Sequence, residues 1–140
     1  MKLLSTLCLL FAASFSARAE VVVIVSVNNP NTYTGLEKDE IKRIFLGKGG
    51  NFPDGSKAVA YDLPKGDEKR AEFSRLYLGK TESQLNSYWS RRVFAGKQQP
   101  PRRTDGIAEM KAKVAASKNA IGYIDSHDVD PSVVVVHSFK

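Results

Sequence analysis

The sequence predicts an α/β fold in which a mixed sheet has helices packed on it. Three observations carry this reading. Residues 21–27, VVVIVSV, are a β-branched apolar run of strand length with no charge and no helical period. Residues 36–46 and 82–95 instead repeat their apolar positions at helical spacing with charged residues between them. Short apolar runs at 58–61, 120–125 and 133–136 are each bounded by turn-forming residues. The predicted order is β-α-β-α-α-α-β-β.

The first strand is expected inside the sheet, because a run apolar at every position is suited to cover on both faces. Asn28, Asn29, Pro30 and Asn31 end it, since proline lacks a donor and asparagine competes for local backbone bonds. In the first helix Leu36, Ile41, Ile44 and Phe45 share a side, acids precede bases as the helix dipole favours, and Gly47 is the stop. Residues 49–55, GGNFPDG, form a loop by composition, and 58–61 a short second strand. A helix over 70–78 turns Phe73, Leu76 and Tyr77 inward and ends at Gly79. Thr81, Glu82, Ser83 and Gln84 match a capping box, so a third helix is expected from Glu82 to about Ala95, with Leu85, Tyr88, Trp89 and Val93 at helical spacing. At least one of the rings of Tyr88 and Trp89 should belong to the core. Residues 97–103, KQQPPRR, are an extended basic loop because Pro100 and Pro101 forbid helix. Thr104 or Asp105 can cap a fourth helix through Ala116 with Ile107, Met110 and Val114 inward, and Asn119 ends it. Strands at 120–125 and 133–136 close the order.

Residues 57–73, KAVAYDLPKGDEKRAEF, read as strand, Pro/Gly turn and helix start. A helix start carries unpaired N–H groups and a partial positive charge, so this turn has the form of an anion cradle. The candidate oxyanion-binding residues are Lys65, Gly66, Asp67, Lys69 and Arg70. Asp67 and Glu68 act against such a role, because carboxylates at a helix start cap it and repel an incoming anion.

The N-terminus reads as a cleaved signal peptide over residues 1–19: Lys2 is the positive region, Leu3 to Phe15 the apolar region, and Ala17-Arg18-Ala19 the cleavage site. Glu20 would begin a single mature domain over 20–140, secreted or periplasmic, with no membrane anchor. The only cysteine, Cys8, lies in the signal, so the mature domain has neither disulfide nor thiol chemistry. Loss of Lys2 and Arg18 lowers the formal charge from +6 to about +4, a mild bias towards anionic ligands or partners.

Set together, Ile44-Phe45-Leu46-Gly47-Lys48, Phe52-Pro53-Asp54-Gly55, Arg70-Ala71-Glu72-Phe73, Tyr88-Trp89 and Ala120-Ile121-Gly122-Tyr123-Ile124 resemble the phosphate-type substrate-binding proteins of bacterial ABC transporters. The resemblance implies a single lobe of a type II periplasmic binding protein-like fold, with phosphate or a similar oxyanion as ligand and a transporter or other envelope protein as partner. Members have two lobes that close over the anion, whereas the mature length here suits about one. They also carry an R-S-D-G-S-G-T-like segment where this chain reads Leu63-Pro64-Lys65-Gly66-Asp67-Glu68-Lys69, so Gly66 is kept while the arginine and hydroxyl positions are not.

Enzyme chemistry has little support. There are two histidines, no mature cysteine, no H-E-x-x-H, no G-x-S-x-G and no nucleotide loop, and His127 reads as a solvated turn residue. No cofactor or metal is expected. Nucleic acid is not expected either, because secretion removes the chain from it and the aromatic residues lie at core spacing. Two functions follow: a solute-binding module for phosphate or another small oxyanion, or a protein-interaction module on the same fold. The second would use a basic surface of Lys97, Arg102 and Arg103.

Overall fold

In a computed structural model of the chain, residues 19–96 and 98–139 are described. The signal-peptide reading, on residues 1–18, and Lys97 lie outside the described residues. Five strands form one mixed sheet in the order β3-β2-β4-β1-β5. Strand β1, Val21–Ser26, is buried at every position between β4, Ala120–Asp125, and β5, Val133–His137, and is antiparallel to both. Strand β2, Val59–Asp62, is parallel to β4 and to the two-residue edge strand β3, Arg102–Arg103.

The helices are α1, Lys38–Phe45; α2, Glu68–Phe73, continued by one wide π-type turn over Ser74–Leu78; α3, Glu82–Phe94; and α4, Ile107–Ala116. Neighbouring residues of β4 fix the layers, because successive strand side chains point to opposite faces. Gly122 faces α4, where a Cβ would stand 2.5 Å from Met110 Sδ and 2.8 Å from Val114 Cγ2. Tyr123 faces α2, its ring stacked on Phe73 at 3.9 Å between centroids. Phe45 of α1 meets Phe73 edge-on at 4.7 Å, and Tyr77 stacks on its other side at 5.1 Å. Offset and edge-on aromatic pairs of this kind contribute about 0.5–1.5 kcal/mol each beyond area burial.

The expected elements are present with shifted ends, and two points differ. Residues 102–103, expected as extended loop, form β3: the Thr104 N–H and hydroxyl both donate to the Asp62 carbonyl at 2.9 Å and pin the loop to the end of β2. With Thr104 committed there, neither it nor Asp105 caps α4. Gly106 occupies the cap without a side-chain bond, while Glu109 accepts from the Asp105 N–H at 3.0 Å. The capping box of α3 is complete, with Thr81 Oγ1 accepting from Gln84 N–H at 3.1 Å and Gln84 Oε1 from Thr81 N–H at 2.9 Å. Trp89 is buried, and the partly buried Tyr88 donates its hydroxyl to the Leu46 carbonyl. No helix among the described residues is long and apolar enough to cross a membrane.

Candidate functional site

Strand β2 ends at Asp62, and the chain then turns through Leu63, Pro64, Lys65 and Gly66 into α2. Gly66 has φ +86°, a left-handed conformation that glycine adopts without steric cost. Asp67 is the N-cap of α2, and its Oδ1 accepts from the Lys69 N–H at 2.8 Å and the Arg70 N–H at 3.4 Å. Glu82, at the start of α3, reaches across so that its Oε2 accepts from the Gly66 N–H at 3.2 Å. The Gly66, Lys69 and Arg70 amides are therefore already bound to the chain's own carboxylates, and the Asp67 N–H donates to the Pro64 carbonyl at 3.1 Å.

Arg70 is 2% exposed, a rare state for arginine unless it is paired. Its Nε donates to Asp62 Oδ2 at 3.0 Å and one terminal nitrogen to Glu82 Oε1 at 2.6 Å, with Asn86 Oδ1 at 3.4 Å beside it. Burial alone would lower the guanidinium pKa, but the carboxylates of Asp62 and Glu82 outweigh it and hold the pKa above its usual value. The other Asp62 oxygen accepts from the Leu63 N–H at 3.0 Å and from the Tyr123 hydroxyl. Tyr123 is held well above the usual phenol range, chiefly by burial and then by the neighbouring Asp62 charge, so its hydroxyl stays a donor. Lys69 is paired elsewhere, with Asp125 at 2.9 Å and Glu72 at 3.1 Å; burial opposes its charge, yet these partners hold its pKa above the ordinary lysine value.

The five candidate oxyanion residues thus lie at one corner, but four of them bond within the chain. Lys65 is exposed and has no ion-pair or side-chain hydrogen-bond partner among the described residues. Next to this corner lies a cavity of about 440 Å³, lined by Asp62, Lys65 and Arg70, by Asn86, Trp89, Ser90, Val93 and Phe94 of α3, and by Pro100 and Arg103. It stands outside the carboxyl ends of the parallel strands β2 and β3, the usual place for ligands in open α/β sheets. Arg103 is exposed and, like Lys65, unpartnered among the described residues. Arg102 lines a neighbouring cavity with Lys57, Gln98 and Pro101 instead, so the two arginines of the basic loop serve different concavities.

Sequence reasoning did not identify Asn86, Ser90 and Phe94 as lining residues. Their spacing of four and then four along α3 puts them on one face, which was the available signal. The part played by Glu82 was not legible, because its partners are distant in sequence. His127 is an exposed turn residue, 3.7 Å from Asp125.

No protein-family model and no curated protein matches the chain. Solved structures do. A protein designated a phosphate ABC transporter substrate-binding protein, with bound phosphate, from Clostridium perfringens is similar at 26% identity and a TM-score of 0.67, over 84% of this chain and 44% of its own. An ABC-type phosphate transport receptor from Vibrio cholerae matches at 19% identity and TM-score 0.64, over 84% of this chain and 45% of that one. PstS from Borrelia burgdorferi matches at 16% and 0.63, over 87% and 49%. The chain therefore spans less than half the length of these structures, and over that span it has the fold of phosphate ABC transporter substrate-binding proteins.

Proposed function

We propose that this chain is a periplasmic solute-binding module, not an enzyme, that holds phosphate or another small oxyanion in the cavity between the ends of β2 and β3 and helix α3. One observation carries the reading: Lys65 and Arg103 line one cavity at the carboxyl ends of parallel strands, both without a carboxylate partner among the described residues. In this assignment Lys65 and Arg103 meet the anion. Arg70, held by Asp62 and Glu82, belongs to the cavity wall beside them, while Gly66 bonds to Glu82, Asp67 caps α2 and Lys69 pairs with Asp125 and Glu72. The solved structure with bound phosphate adds the ligand class, since that protein holds phosphate on a similar fold.

The competing function, a protein-interaction module using Lys97, Arg102 and Arg103, has less support because Arg102 and Arg103 line separate cavities. Calorimetric titration of the purified chain with phosphate and related oxyanions tests the proposal. Saturable binding that weakens about tenfold or more in Lys65→Gln and in Arg103→Gln is expected, as each variant removes a charge-assisted contact. Absence of heat at millimolar anion, or binding indifferent to both substitutions, overturns it.

A further inference from the structure

The cavity is larger than a bare inorganic ion requires. Cavities of roughly 300–1,000 Å³ accommodate molecules of drug size, and one of about 440 Å³ would leave most of its space unfilled around phosphate alone. Its lining is also graded from end to end. Asn86 stands at the charged end, its Oδ1 3.4 Å from Arg70. Ser90 follows one helical turn on, and Phe94 one turn beyond that, so the axis from Asn86 to Phe94 runs about 12 Å at 1.5 Å per residue. At the far end Val93, Phe94 and Pro100 replace the charged groups. Phe94 is 95% exposed although it belongs to that wall, and Val93 is 43% exposed. Among the described residues, Phe94 is thus almost uncovered and Val93 about half covered.

We infer that the cavity takes a phosphate monoester with an apolar, ring-sized body: the dianionic head lies between Lys65 and Arg103, and the ring lies along α3 against Val93, Phe94 and Pro100. This rests on the oxyanion reading above and narrows it. Two unpaired cations match a dianionic head better than a single carboxylate charge. Ser90, between the two ends, and Asn86, at the charged end, supply hydrogen-bonding groups for the ester linkage. A ring laid against an aromatic side chain gains contact that inorganic phosphate cannot make.

Calorimetry with the full chain distinguishes the possibilities, using inorganic phosphate, phenyl phosphate and benzyl alcohol as probes. The inference expects phenyl phosphate to bind at least about tenfold more tightly than inorganic phosphate, a difference within the reach of one aromatic contact plus buried area. Phe94→Ala should remove most of that advantage and leave the affinity for inorganic phosphate unchanged. Because Phe94 is exposed, this variant should retain the wild-type circular dichroism spectrum and melting temperature. Lys65→Gln should weaken both anions, and benzyl alcohol should not compete at equal concentration. Equal affinity for the two anions, or a preference that survives Phe94→Ala, overturns the inference while the oxyanion reading stands. Failure of both anions to bind overturns both.

Discussion

Replacing Arg70 by methionine should destabilise the domain by about 3–5 kcal/mol, the usual loss when one member of a buried ion pair is removed. The magnitude follows from which groups are left behind. Asp62 is buried, and without the guanidinium its Oδ2 has no donor, while its Oδ1 keeps the Leu63 N–H and the Tyr123 hydroxyl. Glu82 is a quarter exposed and can regain water, so it adds little. Methionine retains an apolar stem in the same channel, which confines the loss to the charge. With a urea slope of about 1–3 kcal/mol/M for a domain of this size, the midpoint should fall by more than about 1 M. Asp62→Asn in the Arg70→Met background should recover much of the loss, because no uncompensated buried charge remains. Glu82→Gln alone should cost only about 1 kcal/mol. A loss below about 1 kcal/mol for Arg70→Met, or a double variant no more stable than the single one, would refute the buried-charge account.

Gly122→Ala should cost about 1–3 kcal/mol in urea unfolding, because the new methyl meets Met110 Sδ and the stiff Val114 side chain at 2.5 and 2.8 Å. An unchanged midpoint would mean that α4 does not sit on β4 as described. At the other end of the sheet, the partly buried His137 accepts a hydrogen bond from the Tyr77 hydroxyl at Nδ1, 2.8 Å away, when its proton is on Nε2. Burial holds its pKa below the ordinary 6.5, opposed by the Glu37 charge and aided by that of Lys38. The unfolded chain therefore binds the proton first, so stability is full above about pH 7 and falls as pH drops through about 6.5 towards the folded-state value. Urea midpoints at pH 7.5 and 5.5 should differ in the wild type, and His137→Phe should shrink the difference; an equal difference in both would exclude His137 as the titrating group.

What could be read from the sequence was whatever is specified by neighbours along the chain. The start of α3 was legible because Thr81 and Gln84 satisfy each other's backbone within four residues. The burial of β1 was legible because every position is apolar. Strand β3 was not, since two residues after two prolines carry no alternation and are held by Thr104 bonding the carbonyl of Asp62, 42 positions away. Arg70 illustrates the same limit at the site. At the helix start it reads as a candidate anion ligand, and only the fold brings Asp62 and Glu82 around it. The turn at 63–69 was recognisable as a helix start, and Asp67 was visible as a cap. That Glu82 would take the Gly66 N–H depends on where α3 packs, which local pattern does not encode.

The occupied amides also explain why the cationic groups left for a ligand lie beside the helix start and not on it. A helix terminus favours an anion by about 0.3–1 kcal/mol at a surface. Two unit charges of like sign 4 Å apart repel by about 1 kcal/mol in bulk water and about 4 kcal/mol at the effective dielectric near a protein surface. With Asp67 on the Lys69 and Arg70 amides and Glu82 on that of Gly66, an oxyanion arriving there meets two carboxylates for one dipole. Arg70 cannot offset them, because its charge is already shared between Asp62 and Glu82. Lys65, before the helix, and Arg103, on the adjoining strand, escape this neutralisation and line the same cavity. The carboxylates that close the helix start thus fix the cavity wall in place and leave its positive field to those two side chains.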